Sequence, residues 1–446
     1  MSDQFEDLFE DLARLAPANN GDDSDTGAPE TGGRDTASEP PPVIADEFWS
    51  ARPVLRHIRL AAQAAMAAPD ATFVSLLAHV AVRVPPGFRL PPLVGGPGSL
   101  NICASAIGIS GLGKGSAMRC AENLLPEAPP GVGVGPLGTG PGMVDVYFAK
   151  PADGGEPARA KAGWLFVADE GQTLTKLAEG QGSVTLEYIR QGWSGERIGG
   201  QTVSAPWRVL APHSYRMAVL LGLQPALARP LLADVDGGTP QRFIFASAVD
   251  PHAPAELPQH PGAIAWECPD RPGDLTVAEP IRSEIIARRR EVLTGQRIPD
   301  PYDAHRDLNR LKVAGLLALL EQRTHVGTDD WELAGMVLDA SDGVRSWVLA
   351  SHRAAEARDE AERLTRAAAR ARAEEAARRR DTDDVVRIAR VIERAVTKHG
   401  PTTRGRLRAA VKSGPDRERF DDALAHAEAQ GWIEQDDHGA YRRPGA

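Results

Sequence analysis

The chain has 446 residues, of which 42% are hydrophobic, and this length predicts two or three domains with enough apolar side chains for a large core. The formal net charge of −10 excludes a generally basic nucleic-acid coat, so any contact with nucleic acid must come from local patches. Three scattered cysteines, no apolar run of membrane-spanning length and no signal-peptide order at the N-terminus predict a cytoplasmic protein without disulfides or a membrane partner.

Residues 1–45 form an acidic segment that is rich in Pro, Gly, Ser and Asp from about Pro17 onward, a composition typical of disorder. Its first part differs, because five apolar residues recur there at helical spacing between acids: Phe5, Leu8, Phe9, Leu12 and Leu15. We interpret this Phe/Leu face either as a short helix that docks in the groove of a protein partner, or as a frayed helix that packs on its own chain or on nothing.

Residues 46–98 are predicted to be a helical preface to a larger domain. Two helices are expected, Glu47 to Ala67 and Ala71 to Val84, with Pro69-Asp70 as the break between them. Pairs of prolines and glycines then lead into an apolar strand.

The stretch from Asn101 to Ser116 carries the strongest functional signal, at the start of a core that we place at residues 99–350. The run up to Ile107 predicts a buried strand, four glycines allow a tight turn, and a helix follows from Ser116 to Leu125. This is the arrangement of a P-loop, in which backbone N–H groups and a lysine hold phosphates and a hydroxyl reaches Mg²⁺. The predicted ATP-binding residues are Gly108, Ser110, Gly111, Leu112, Gly113, Lys114, Gly115 and Ser116.

Two alternatives remain for this loop. Its hydroxyl, on Ser116, follows Lys114 by two places instead of one, and this Gly-Lys-Gly-Ser spacing also resembles nucleoside monophosphate kinases. The other alternative is a glycine-rich turn that contains a lysine by chance.

A second apolar run, from Gly163 to Ala168, ends in Asp169 and Glu170. In P-loop enzymes the first acid holds Mg²⁺ and the second polarises the attacking water, so Asp169 is the predicted metal ligand and Glu170 the predicted catalytic base. The alternative is a pair of solvated acids at the end of a strand.

Two glycine-rich stretches are predicted to be loops. Residues 131–142 face either a ligand or solvent. Residues 180–202 are polar, and in ring ATPases a loop at this place faces the pore, where Trp193 would stack on a base and Arg190 or Arg197 would meet phosphate. The alternative is that Trp193 packs the loop down and that the arginines pair with local acids.

Further core strands are expected at Trp207 to Ala211, at Tyr215 to Gly222 and at Arg242 to Ala246. Gln224 follows the second of these strands and is our candidate sensor of the γ-phosphate. Arg242 is a candidate arginine finger that acts across a subunit boundary, or else an ordinary arginine at the end of a strand.

The rest of the chain is predicted to be helical. Helices are expected at Pro280 to Leu293, at Leu308 to Glu321 and from Asp329-Asp330-Trp331 to about Leu349. Residues 351–381 predict a solvated connector helix, with Glu362/Arg366 and Glu374/Arg378 at i,i+4 spacing. A DNA-binding basic tract is the alternative for this segment.

Residues 382–446 predict a winged-helix domain with helices at Asp383 to His399, from Thr402 or Thr403 onward, and at Asp416 to Gln430, before a hairpin. The third helix is acidic and would repel phosphate. We therefore expect any DNA contact to come from the basic residues of the second helix and the hairpin, with protein binding as the alternative: Arg404, Arg406, Arg408, Lys412, Arg442 and Arg443.

Taken together, residues 46–351 resemble an uncharacterised family of RecA-like P-loop proteins from phages, plasmids and mobile elements, whose members are often joined to primase domains. The resemblance rests on the P-loop and on short motifs along the chain: Glu47-Phe48-Trp49, Pro92-Leu93-Val94-Gly95-Gly96, Asp169-Glu170, Trp193-Ser194-Gly195, Leu221-Gly222-Leu223-Gln224-Pro225 and Asp330-Trp331-Glu332-Leu333-Ala334. It implies an α/β RecA-like core, ATP and Mg²⁺, a homo-oligomeric ring, and helicase-like action on single-stranded or double-stranded DNA during replication or maintenance of a mobile element. Pro141 stands where similar proteins have an acid, so no catalytic role is assigned there.

Three functions are thus open. The first is a DNA-dependent ATPase, the second a nucleotide-binding switch or scaffold that orders a protein interface, and the third a nucleoside monophosphate kinase.

Overall fold

The structure is a computed structural model that describes residues 40–150, 155–169, 182–200, 207–412 and 414–445. The predicted N-terminal Phe/Leu helix and the predicted base Glu170 lie outside these residues. The chain divides into two compact units, which meet in sequence at Ala354 and Ala355.

The described strands are β1 (Ile102–Ile107), β2 (Val132–Pro136), β3 (Phe148–Ala149), β4 (Ala158–Arg159), β5 (Gly163–Ala168), β6 (Ile198–Gly199), β7 (Val209–Leu210), β8 (Arg216–Leu223), β9 (Phe243–Ser247), β10 (Thr276–Val277), β11 (His325–Val326), β12 (Glu434–Gln435) and β13 (Tyr441–Arg442). The described α-helices are α1 (Asp46–Ala51), α2 (Pro53–Ala64), α3 (Pro69–Arg83), α4 (Lys114–Asn123), α5 (Gly140–Asp145), α6 (Gly182–Ser194), α7 (Arg229–Ala233), α8 (Glu279–Leu293), α9 (Arg306–Leu320), α10 (Thr328–His399), α11 (Arg404–Ala410), α12 (Gly414–Glu418) and α13 (Phe420–Ala429).

The first unit is built on a five-stranded sheet in the order β2-β5-β8-β1-β9, and all neighbouring strands in it are parallel. The chain leaves β1 for the far edge at β2, returns through β5 and β8, and then crosses to β9 on the other side of β1. β1, β8 and β9 are buried along their whole length, as expected of a parallel sheet that is covered on both faces. The predicted α/β class is therefore confirmed, and the central sheet is parallel.

Alternate residues of the strands pack into two cores. Ala104, Ala218 and Ile244 point to the core that contains α3, α4 and α9. Their neighbours Cys103 and Val219 point to the core that contains α6 and part of α10. This alternation follows from the period of two in a strand and produces three layers, with helices on both faces of the sheet.

The helical preface differs from its prediction in two places. The first predicted helix is interrupted at Arg52, which is extended, with φ −141° and ψ 149°. Pro53 follows Arg52, and a proline disfavours helical geometry in the residue before it. The second predicted helix is confirmed as α3, which is buried along its length. It begins at Pro69, so the predicted break at Pro69-Asp70 is wrong, and a proline is tolerated in the first turn of a helix.

The predicted loop at 131–142 was wrong, because β2 at its start is an edge strand of the central sheet. The glycines of β2 make room for the tryptophan of the neighbouring strand. A Cβ built on Gly133 would lie 2.3 Å from the ring of Trp164, and one on Gly135 would lie 2.8 Å from it.

The predicted loop at 180–202 is also wrong over most of its described part, which forms α6. Leu186, Ile189 and Trp193 recur at helical spacing on the face that packs on the sheet. The predicted core strand at Trp207 to Ala211 is wrong as well, since β7 pairs only with β6 in a small antiparallel pair.

The three helices predicted after the sheet are confirmed as α8, α9 and the start of α10. α10 begins as expected near Asp330, whose carboxylate accepts the N–H of Gly327 at 2.8 Å and so satisfies a free donor at the helix end. Within the next part of α10, the predicted pair Glu362/Arg366 is formed at 2.8 Å, whereas the second ion pair joins Glu375, not Glu374, to Arg379.

The second unit has its own core, which joins the last turns of α10, α11, α13 and the β12–β13 hairpin around Phe420. Tyr441 of the hairpin also exchanges two backbone hydrogen bonds with Thr402. The predicted third helix is divided into α12 and α13 at Arg419, which has φ −92° and ψ 6°. Two acids of this region are paired, Asp416 with Arg387 at 2.8 Å and Asp421 with Arg404.

Among the described helices, none is by itself long and apolar enough to cross a membrane. α2 and α3 together would have the length and composition, but they are bent by 118° at their junction.

Candidate nucleotide-binding site

The glycine loop leaves β1 at the carboxyl end of the sheet, where ligands of parallel α/β proteins bind. Gly108 begins it and donates its N–H to the carbonyl of Leu223 on β8 at 3.1 Å. A Cβ on Gly108 would lie 2.8 Å from the Cβ of Ala248, and Gly111 and Gly113 have φ of +87° and +75°. The loop conformation therefore requires glycine at these three positions.

Lys114 is the first residue of α4, and its side chain is half-buried against the loop. Its Nζ donates to the carbonyl oxygens of Gly108 at 2.7 Å and of Ile109 at 2.9 Å. Burial lowers the pKa of Lys114 below its ordinary value. The ammonium group thus lies over the loop at a helix N-terminus, where an anion is also favoured by the backbone N–H groups.

Ser116, the predicted magnesium ligand, lies in the first turn of α4. Its hydroxyl accepts a long hydrogen bond from the guanidinium of Arg119 at 3.4 Å. Both side chains are accessible from solvent, Ser116 in part and Arg119 more fully. The hydroxyl is therefore available to a ligand that arrives from the loop side.

Asp169 follows β5, and its side chain is exposed. β8 lies between β5 and β1, and its Gly222 brings the two functional strands together. A Cβ on Gly222 would lie 3.1 Å from the carbonyl oxygen of Asp169 and 3.2 Å from Cε of Met118 on α4. Asp169 and the helix that carries Ser116 therefore meet at the same end of the sheet.

Gln224 also lies at this end, directly after β8 and next to Leu223, whose carbonyl accepts the N–H of Gly108. Arg242 does not. It precedes β9 at the amino end of the sheet. The five residues of β9 therefore separate it by roughly 16 Å from the end of the sheet at which the glycine loop lies. An action of Arg242 on the site of its own chain is excluded by this distance, and an action across a subunit boundary stays a prediction.

Trp193 and Arg190, the predicted contacts to nucleic acid, are structural. Trp193 is only 1% exposed and packs in the core. Arg190 pairs with Asp234 at 2.6 Å and donates to the hydroxyl of Thr239 at 2.9 Å. The alternative given for these residues is therefore the correct one, whereas Arg197 is exposed.

One neighbour of the site was missed from the sequence. Met66, in the turn between α2 and α3, has a positive φ of 51° and is 73% exposed. Its carbonyl oxygen lies 3.8 Å from the position of a Cβ on Gly113. The helical preface thus contacts the glycine loop directly, and no spacing in the sequence indicates this contact.

Among the described residues, no group of three or more His, Cys, Asp and Glu side chains lies close enough together to hold a metal ion. A P-loop magnesium needs fewer protein ligands, because phosphate oxygens and water complete its shell. Ser116 and Asp169 offer the oxygen ligands that Mg²⁺ prefers, and both lie at the carboxyl end of the sheet.

A scan of the sequence against models of known protein families finds no match, and a search of curated proteins finds no relative.

Proposed function

We propose that this protein is an ATP-hydrolysing P-loop protein of the helicase-like, RecA-related kind that acts on DNA, in replication or maintenance of a mobile element. The observation that carries the proposal is the position of Lys114 at the N-terminus of α4, with its ammonium on the carbonyls of a glycine loop that opens at the carboxyl end of the sheet. A triphosphate oxygen would replace these carbonyls as the partner of the ammonium.

The other residues would act around this anion. The N–H groups of the loop and of α4 bind the phosphates, and Lys114 balances the charge that moves to the β–γ bridge during cleavage. Mg²⁺, held by Ser116 and Asp169, would neutralise phosphate charge when bound with the nucleotide. Glu170 takes the proton of the attacking water, and Gln224 senses the γ-phosphate from the end of β8.

The strand order supports an ATPase more than a monophosphate kinase. β8 separates the strand of the glycine loop from the strand of Asp169, as expected of a RecA-like core, and this places Gln224 between the two. The kinase alternative gives no role to Gln224 or to the acid pair.

A nucleotide-binding switch or scaffold is the second candidate, and a specific observation favours it. Trp193 and Arg190, from which a DNA contact was expected, are used inside the fold. In the second unit, Arg404 is paired with Asp421, which leaves fewer unpaired cations for phosphate. A switch would bind and hydrolyse ATP without a response to DNA.

The test is the steady-state rate of ATP hydrolysis with and without single-stranded DNA, measured beside Lys114→Ala and Glu170→Gln. We expect stimulation by DNA, and a fall in kcat/KM of about 100-fold or more in both variants, equal to about 2.7 kcal/mol. Lys150→Ala, at an exposed lysine outside the loop, is the matched control and keeps the rate.

The outcomes separate the three candidates. Hydrolysis that depends on Lys114 but is not changed by DNA would refute the DNA-dependent ATPase and establish the switch. Formation of a nucleoside diphosphate from added monophosphate would establish the kinase. Equal rates in the wild type and in Lys114→Ala would refute all nucleotide chemistry at this loop.

A further inference from the structure

A cavity lies at the amino end of the sheet, away from the glycine loop. It has a volume of 580 Å³ and lies between α8, the turn at 299–305 and the segment at 90–98. Leu90, Ile285 and Leu311 form part of a buried apolar floor, and Val94 at the margin is 47% exposed. A cavity of this size and lining holds several apolar side chains of a ligand or peptide.

The margin of this groove carries four arginines and three aspartates. Several acids around it are already engaged, since Asp307 pairs with Arg288 at 2.7 Å and Asp342 pairs with Arg306 at 3.2 Å. Arg289 is exposed and forms no ion pair among the described residues, and Arg297 reaches Glu291 only at 3.8 Å.

Two further acids line the groove, and both have local partners. Asp300 accepts the N–H of Tyr302 at 2.7 Å, and Asp303 faces Arg345 at 3.8 Å. Among the described lining residues, Arg289 is therefore the arginine without an acid partner, whereas Arg297 and Asp303 each have a partner at 3.8 Å.

Residues 5–15 of the same chain have the matching chemistry. Their apolar side chains recur at helical spacing, and the acids between them outnumber the single Arg14: Glu6, Asp7, Glu10 and Asp11. As a helix, this segment would present an apolar face about 15 Å long with carboxylates along its borders. An apolar groove with an arginine margin complements such a face.

The first described residues of the chain also lie near this groove. Pro42 packs on α10, where a Cβ built on Gly343 would lie 3.0 Å from the proline ring. The preceding residue of α10, Asp342, pairs with Arg306, which lines the groove. The chain at Pro42 thus lies within about 20 Å of the groove, counted in Cα steps of 3.8 Å and side-chain lengths.

The residues between this segment and the described chain are numerous enough to cover the distance from Pro42 to the groove. About 25 residues separate Leu15 from the first described residue, Pro40, and a flexible chain of that length has a mean end-to-end distance of roughly 25–30 Å. A tether whose mean length matches its span gives an effective concentration in the millimolar range, so even weak docking would be occupied.

We propose that residues 5–15 dock in the groove of their own chain, with Phe5 and Phe9 on the apolar floor and the acids against Arg289 and Arg297. The docked segment would cover the exposed apolar side chains at the amino end of the sheet and leave the glycine loop open. This proposal is independent of nucleotide hydrolysis, because the groove and Lys114 lie at opposite ends of the sheet.

The test uses the full chain with Ala13→Cys and Val94→Cys in a Cys268→Ser background, treated with a short bismaleimide linker. The two other cysteines, Cys103 and Cys120, are buried. We expect an intramolecular cross-link between positions 13 and 94, found by peptide mass spectrometry at the mass of a single chain. Phe5→Ala together with Phe9→Ala should lower its yield by about fivefold or more, and Ser24→Ala with Thr26→Ala should leave it unchanged.

A charge swap distinguishes docking from damage to the fold. Arg289→Glu with Arg297→Glu should lower the yield to a similar extent, and Asp7→Lys with Asp11→Lys should restore it. Cross-links that join two chains would overturn the proposal in favour of a second copy as the occupant. A cross-link yield that is unchanged by Phe5→Ala together with Phe9→Ala would overturn the proposal altogether.

Discussion

Strand β1 has a lysine at each end, and the two lysines make nearly the same hydrogen bonds. At the carboxyl end, Lys114 donates to the carbonyls of Gly108 and Ile109. At the amino end, Lys312 of α9 donates to the carbonyls of Asn101 and Trp193, at 2.7 and 2.5 Å. Lys114 is half-buried at a helix N-terminus, whereas Lys312 is fully buried, 3.6 Å from the ring centre of Trp193.

This difference in burial separates an ammonium group that solvent can reach from one that is structural. A ligand can reach Lys114 and replace its carbonyl partners, because the loop opens to solvent. Around Lys312 the other cations are also held by backbone oxygens: Arg216 donates to the carbonyls of Val84 and Pro85, and burial lowers its pKa to about 9. The amino end of the sheet therefore buries cations that satisfy carbonyls, and the carboxyl end leaves one accessible from solvent.

The largest expected effect tests this contrast through stability. Lys312→Met removes the donor and leaves two carbonyls without it in the core, so the free energy of unfolding should fall by about 3 kcal/mol. Lys114→Met should change it by less than about 0.5 kcal/mol, because water replaces the ammonium there. Urea denaturation of the two variants measures both values.

The binding of ATP should show the opposite order, with the larger loss in Lys114→Met. Lys114→Met abolishes the binding of ATP, and Lys312→Met keeps it at temperatures where the variant is folded. Equal losses of stability in the two variants would contradict the division of the sheet into a structural and a binding end.

The next prediction concerns a buried acid near the carboxyl end of the central sheet. Asp70 of α3 is 4% exposed and accepts the N–H of Ile44 at 2.7 Å. Burial, with a smaller contribution from Asp250, raises its pKa to about 7. Because the folded chain then binds this proton more tightly than the unfolded chain, the free energy of unfolding should fall as the pH rises from about 4 to about 7.

Asp70→Asn removes this pH dependence and keeps an oxygen acceptor for Ile44. We expect the variant to be more stable than the wild type by about 2 kcal/mol at pH 8 and to match it at pH 4, since the helix N-terminus offsets part of the burial cost. Thermal unfolding at the two pH values measures the difference. A variant that is less stable at pH 8 would show that Asp70 is ionised and useful in the fold.

The strands and helices with continuous apolar runs could be predicted from the sequence, and β1, β5, β8 and β9 were found where expected. β2 was missed because Gly133 and Gly135 have no side chains, and the reason for them is a tryptophan on another strand. α6 was missed although Leu186, Ile189 and Trp193 have helical spacing. The glycines and polar residues of this stretch are equally typical of a loop, and the prediction of a loop rested on them.

The candidate site was predicted in part for a physical reason. The glycine loop and Lys114 are adjacent in sequence, so local geometry is enough to place them. Lys312 lies 211 residues from Asn101 and 119 residues from Trp193, and only the folded chain shows that they meet. The contact of Met66 with the glycine loop is hidden from the sequence in the same way.

The smallest expected effect separates alignment of the site from stability. Gly222→Ala places a Cβ within 3.1 Å of the carbonyl oxygen of Asp169 and 3.2 Å of Cε of Met118. The backbone at Asp169 must therefore move by a few tenths of an ångström, whereas the Met118 methyl can rotate within its own side chain. Displacements of this size misalign reacting groups, and we expect ATP hydrolysis to fall about tenfold with a loss of stability of about 1 kcal/mol. Gly138→Ala, where the added Cβ meets nothing within 4 Å, is the matched control. Hydrolysis that is unchanged in a folded Gly222→Ala variant would show that Asp169 and the glycine loop do not act together, and the binding end of the sheet would then be the loop alone.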